Sequence, residues 1–163
     1  MSLWGESVSW DKHGRIHDMI VWPERQEVDR YVYTPGLHGL ELAKALMEGR
    51  VLGMKCGDGR VYVPPKTLCP DFQQGELVEV RGPWRVQHYT VVYEDLYGNR
   101  LPRPVVVAVV KPDDADVGMI HVVNADPSSV REGIIVRPVF RPKEERKGTI
   151  LDIAYFEPAF EPA

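Results

Sequence analysis

Cys56 and Cys69 are the only cysteines in the 163 residues, with twelve positions between them. Each opens a Cys-x-Asp tripeptide, Cys56-Gly57-Asp58 and Cys69-Pro70-Asp71, inside a turn marked by Gly or Pro. Thiolate sulfur and carboxylate oxygen both bind zinc, so Cys56, Asp58, Cys69 and Asp71 form a candidate metal set. Structural zinc sites are mostly Cys- and His-rich, so a disulfide or a pair of free thiols is favoured over zinc. A third chemistry is nucleophilic, with either thiol activated by His88 or His121, and needs a proximity that spacing does not supply. The chain has no Gly-x-Ser-x-Gly, no phosphate loop with Lys-Ser/Thr and no His-Glu-x-x-His. Gly57 and Gly59 sit in the first cysteine turn and are no dinucleotide signal.

A second group is basic. Arg81, Arg85, Arg103, Arg137 and Arg141 punctuate the C-terminal half and are candidates for holding phosphates, by charge and by the forked geometry of guanidinium. Thirteen acidic residues lie in the same span, Glu79 to Ala163, so a solvated surface of mixed charge accounts for them equally. Coenzyme A and single-stranded nucleic acid both fit a basic groove. Nucleic acid further needs aromatic side chains for stacking, and Trp84, Tyr89, Tyr93 and Tyr97 are available.

These residues need elements to position them. Thr34 to Gly49 reads as a helix: Thr34 can cap it, Pro35 suits the first turn and Gly49 the position after the end. Leu37, Leu40, Ala43 and Met47 form one apolar stripe, with Leu42 and Leu46 beside it. Arg60–Val63 is a short strand between the two cysteine turns. From Val78 to Val92 apolar and polar residues alternate, then Val105–Val110 is apolar at every position and suits a central strand. Gly118–Val123, Ile134–Phe140 and Thr149–Phe156 are further strands, with a helical turn opened by Asp126-Pro127 between the first two of these. The sequence predicts five strands with a short helix between the third and fourth, the order of an OB-fold. Near the N-terminus, Ser7–Trp10 and Met19–Trp22 could pair around Gly14, and Trp4, Trp10 and Trp22 would anchor that extension.

Two turns facing each other across a short hairpin is the layout of a zinc ribbon. The stretch also resembles the family of rubredoxin-like zinc-ribbon plus OB-fold proteins associated with acyl-CoA and thiolases. The resemblance rests on Leu52-Gly53-Met54-Lys55-Cys56, Asp58-Gly59, Val61-Tyr62-Val63, Pro64-Pro65-Lys66 and Cys69-Pro70, and covers about Tyr33 to Phe160. The family's second cysteine falls on Asp58 and its fourth near Asp71 or Phe72, so half of the ligand set is replaced. The resemblance implies a mainly β chain: an extension over 1–33, a helix plus degenerate ribbon over 34–75, and an OB-fold barrel over 76–163. It further implies a non-catalytic accessory subunit that binds coenzyme A or acyl-CoA. The partner would be a thiolase-like or ketoacyl-synthase-like enzyme. A single-stranded nucleic-acid binder is the alternative, and self-association stays open.

Composition sets the outer bounds. Apolar residues make 44% of the chain and charged residues 27%, ordinary for a protein that buries a core. A formal charge of −4 gives nucleic acid no general attraction. There is no run of eighteen apolar residues and no basic-then-apolar leader, so no membrane partner and a cytoplasmic location are expected.

Overall fold

A computed structural model describes residues 34–95 and 97–159. The expected N-terminal hairpin, Trp4, Trp10, Trp22 and Phe160 lie outside the described residues. Residues from Thr34 onward group into one compact unit, apart from Met1–Tyr33.

Helix α1 runs over Gly36–Met47. Thr34 Oγ1 accepts the Gly36 N–H at 3.4 Å, and Gly49, at φ +80°, closes the other end. There the Gly49 N–H reaches Leu46 O and the Arg50 N–H reaches Ala45 O, which satisfies two of the last carbonyls. The buried positions are Ala45 and Leu46, with Leu42 half-buried, while Leu37, Leu40 and Met47 are exposed. The helix carries two overlapping apolar stripes. The one over Leu42, Ala45 and Leu46 faces the core, in place of the expected Leu37–Met47 stripe.

Strands β1 (Val51–Lys55), β2 (Val61–Tyr62) and β3 (Glu76–Val80) form an antiparallel sheet in the order β2-β1-β3. The alternating run expected to be one strand from Val78 to Val92 is therefore two elements. Gly82, at φ +83°, turns the chain between Val80 and Trp84, a conformation that a side chain would strain. Val78 and Val80 then pair with Gly53 and Val51, and the barrel begins only at Trp84.

The barrel consists of β4 (Trp84–Glu94), β5 (Arg100–Pro112), β6 (Met119–Val123), β7 (Ile135–Phe140) and β8 (Ile153–Pro158), closed in the order β4-β5-β6-β8-β7. A short 3-10 helix at Pro127–Ser129, capped by the Asp126 carboxylate, forms the expected helical turn. Residues Ile150–Asp152 form another turn, so the last strand starts at Ile153 rather than Thr149. The chain is thus mainly β, a five-stranded OB-fold barrel preceded by a helix and a ribbon sheet.

One core serves both sheets. Leu46, Val51, Val63 and Val80 pack in a continuous cluster with Trp84, Val86, Val106, Val110, Val136, Ile153 and Phe156. Trp84 and Phe156 meet at 5.2 Å between ring centroids. The acidic turn between β5 and β6 fastens the sheets together. Asp116 Oδ2 accepts the Val61 N–H at 2.8 Å, and Asp114 Oδ2 accepts the Arg81 N–H at 2.9 Å. Among the described residues no helix is long and apolar enough to cross a membrane.

Candidate functional site

The two cysteine turns lie side by side and are joined by a Cys56–Cys69 disulfide. The Cys56 N–H donates to Arg60 O and the Gly59 N–H to Cys56 O; in the second turn the Cys69 N–H donates to Gln73 O and the Phe72 N–H to Cys69 O. The two turns are copies of one hydrogen-bond pattern. Asp58 and Asp71 play matching parts within them. Asp58 Oδ1 accepts the Arg60 N–H at 3.0 Å, and Asp71 Oδ1 accepts the Gln73 N–H at 3.1 Å. Each carboxylate caps its own turn, two residues on. Both sulfurs are buried with Met54 and Tyr62, and Gly75 lies so close that an added Cβ would stand 3.0 Å from Cys69 Sγ.

This donor set does not fit a tetrahedral zinc. The sulfurs are bonded to each other, the carboxylates are engaged in their turns, and no group of three or more His, Cys, Asp or Glu converges among the described residues. The fold keeps the ribbon shape with a covalent tie in the place of the ion. The nucleophile reading fares no better in this geometry. His88 Nδ1 is 2.8 Å from Glu132 Oε1, and the His121 ring packs edge-on against Phe156. No hydrogen bond joins either imidazole to a sulfur.

The five candidate arginines are dispersed. Arg85, on β4, is held by Asp113 at 3.0 and 3.1 Å. Arg81 donates to Glu79 at 3.1 Å. Arg137, on β7, donates twice to Glu157 of β8 at 2.8 and 2.6 Å. Arg85 and Arg137 sit on neighbouring strands, since Arg85 pairs with Ile135. Arg103 is elsewhere. Lys111 pairs with Arg85, and Arg103 is eight residues back along β5, about 26 Å away at about 3.3 Å per residue.

Arg141 lines a surface cleft. It holds about 460 Å³ and is bounded by Arg141, Glu145, Lys147, Thr149, Leu151 and Asp152, in the loop between β7 and β8. Asp152 organises this loop. Its buried carboxylate accepts the N–H groups of Lys147 at 2.9 Å, Gly148 at 2.7 Å and Thr149 at 3.2 Å. Burial pushes its pKa up, but these backbone donors outweigh it and hold the carboxyl below its usual range. Arg141 Nε donates to Leu151 O at 2.8 Å, which leaves its terminal nitrogens toward Glu145, 3.9 Å away. Lys147, a basic residue beyond the five candidates, and Thr149, expected at the start of the last strand, line the same cleft, and the Lys-Gly-Thr turn is their signal in the sequence.

The outer face of β5 and β6 was also missed. Val106, Ala108 and Val110 point into the core, so Val107 and Val109 point out beside Ile120 and Val122. Ile120 is 71% exposed. The unbroken apolar run at Val105–Val110 suited a strand covered on both faces, yet no described element covers the outer one.

Comparison with known proteins fits this architecture. Residues 43–71 match the rubredoxin-like zinc ribbon domain of ChsH2, and residues 77–141 match its C-terminal OB-fold domain, together more than half of the chain. A DUF35 domain-containing scaffold protein of Methanothermobacter thermautotrophicus is 30% identical over 112 residues, which is 65% of this chain and 84% of the relative. The chain belongs to the ChsH2 (DUF35) family. A DUF35 domain-containing scaffold protein of Pyrococcus furiosus is 26% identical over 94 residues, 56% of this chain and 69% of that one. The DUF35 crystal structure from Sulfolobus solfataricus, a protein of unknown function, superposes with a TM-score of 0.56 at 27% identity, over 64% of this chain and 78% of its own. The Ltp2-ChsH2(DUF35) aldolase matches with a TM-score of 0.57 over 80% of this chain and 100% of that chain. At 18% identity it shows the shared fold.

Proposed function

We propose that this DUF35 chain is a non-catalytic accessory subunit that partners a thiolase-like or ketoacyl-synthase-like acyltransferase and helps to hold coenzyme A or acyl-CoA. The observation that carries the reading is the outer face of β5 and β6. OB-folds commonly hold their ligands on this face and on the loops at its ends. Over β5 and β6 the face is aliphatic, built from Val107, Val109, Ile120 and Val122, with His88, Tyr89 and Thr90 of β4 at its border and no Lys or Arg among them. A platform for single-stranded nucleic acid needs cations beside its aromatic rings. An aliphatic patch of this kind suits contact with another protein. Its naming relatives are called scaffold proteins, and one structural neighbour is an aldolase assembly that contains a DUF35 chain.

The phosphates of the coenzyme belong in this reading to the β7–β8 cleft, where Arg141, Lys147 and the Thr149 hydroxyl line one side. The partner enzyme supplies the reacting groups. Purification of the native protein from its own cells, with identification of what accompanies it, tests the first half. Titration with coenzyme A and with a single-stranded oligonucleotide tests the second. A thiolase-type enzyme in stoichiometric company, with saturable coenzyme A binding, is the expected result. Salt-sensitive oligonucleotide binding, without coenzyme A binding and without an enzyme partner, overturns the proposal.

A further inference from the structure

Strand β4 has an edge with no described partner. On one side it pairs with β5 along nearly its whole length. On the other it pairs with β7 only at Trp84 and Arg85, and the last bonds on that side are Val86 N–H to Ile134 O and Gly133 N–H to Val86 O. From Gln87 to Glu94 the backbone groups of that edge meet no strand among the described residues. Beyond the barrel, β4 and β5 continue as a two-stranded arm, because β5 first meets β6 at Val106. Asp95 shapes the arm's tip by accepting the N–H groups of Tyr97 at 2.8 Å and Asn99 at 2.9 Å.

The two free edges of the arm differ. The β5 edge carries Pro102 and Pro104, which lack a donor and block strand addition. The β4 edge carries no proline. Its sequence, His88-Tyr89-Thr90-Val91-Val92-Tyr93-Glu94, is rich in β-branched and aromatic residues and is close to a palindrome about Val91. Laid antiparallel against a copy of itself with Val91 opposite Val91, it sets Thr90 opposite Val92, Tyr89 opposite Tyr93 and His88 opposite Glu94. These are β-branched, aromatic and imidazole–carboxylate cross-strand pairs. His88 uses Nδ1 on its own Glu132, so Nε2 is available to a carboxylate of the copy. Tyr89, Thr90 and Tyr93 are exposed, with Tyr93 at 55%.

We infer that the occupant of this edge is a second copy of the same chain. Two β4 strands pair antiparallel across a twofold axis at Val91 and join two barrels through one continuous sheet. Self-complementary sequence on the arm's unblocked edge selects the copy over an unrelated strand, and a twofold contact closes after two chains. The inference is independent of the proposed function, since it concerns self-association and not the acyl-CoA partner.

The test uses the full chain. Sedimentation at about 100 µM, a concentration that populates a micromolar complex, is expected to give twice the 18.5 kDa chain mass. Thr90→Lys with Tyr93→Lys, at exposed positions, is expected to give the single-chain mass with an unchanged far-ultraviolet circular dichroism spectrum. Because Cys56 and Cys69 are bonded to each other and the Val91 side chain packs against the core, the exposed and facing pair Tyr89→Cys with Tyr93→Cys supplies the only free thiols. Mild oxidation is expected to cross-link this variant to its copy, while Ile120→Cys, away from the edge, does not cross-link. A wild-type chain that stays at the single-chain mass overturns the inference, as does a dimer that survives both lysines. A dimer in which Tyr89→Cys with Tyr93→Cys fails to cross-link also overturns it, since the register would then be wrong.

Discussion

Cys56 and Cys69 are bonded to one another across two turns that repeat the same backbone hydrogen bonds, thirteen residues apart in sequence. Closing a loop of that size restricts the unfolded chain and contributes about 2–3 kcal/mol. Replacing both with Ser is therefore expected to lower the melting temperature by about 6–9 °C for a chain of this length. Protein purified without chelator or added zinc is expected to carry no stoichiometric zinc and to show no thiol reactive with an alkylating reagent until it is denatured and reduced. One zinc per chain, lost on Cys56→Ser, would contradict this and restore an aspartate-assisted site.

Asp152 holds the β7–β8 loop through three backbone N–H groups. Asp152→Ala leaves those donors unpaired in a buried place and is expected to cost about 3 kcal/mol. The folded pKa lies below the unfolded one, so the charge stabilises above the unfolded value of about 3.9 and is lost as pH falls through the lower, folded value. Urea unfolding of wild type and Asp152→Asn is thus expected to show a gap that is constant near neutrality and shrinks below about pH 4.

Leu46 and Leu37 are nine residues apart on one helix and differ completely in surroundings. Leu46 is 1% exposed and Leu37 is 77% exposed. Leu46→Ala is expected to cost about 3 kcal/mol through lost burial and the cavity left behind. Leu37→Ala is expected to fall within about 0.5 kcal/mol of wild type. Equal effects in denaturant titrations would show that the wrong stripe has been placed inside.

Arg141 and Arg103 separate the proposed coenzyme site from the rest of the basic surface. Arg141→Ala is expected to weaken coenzyme A binding by about tenfold, the loss of one charge-assisted hydrogen bond. Arg103→Ala, on the distant arm, is expected to leave the dissociation constant unchanged. Calorimetric titration of both variants checks this, and an equal effect at Arg103 would move the site off the cleft.

Much of the architecture is legible in the sequence because local signals agree. Pro35 and Gly49 bracket the helix, Asp126-Pro127 opens a turn, and the strand runs are separated by Gly, Pro and Asp. What is not legible depends on long-range pairing. Alternation from Val78 to Val92 cannot say that Val78 pairs with Gly53 while Val86 pairs with Val110. The choice between helix stripes depends on which one meets the barrel. At the site, the spacing of Cys56 and Cys69 puts both in turns but leaves their bond open. The arginines look alike in sequence and differ in partners: Asp113 for Arg85, Glu157 for Arg137, and a cleft for Arg141. The Asp152 knot is invisible beforehand, because its meaning lies in three N–H groups that converge only after β7 and β8 pair.

In the proposed role this chain assists acyl-CoA chemistry without performing it. The most direct measurement is thioester turnover by the purified chain alone, by its co-purified partner enzyme alone, and by the two together. The expected result is no turnover by the chain, and a higher rate or a lower KM for the partner when the chain is present. Turnover of acyl-CoA by the isolated chain, abolished by a single Cys or His substitution, would contradict the account.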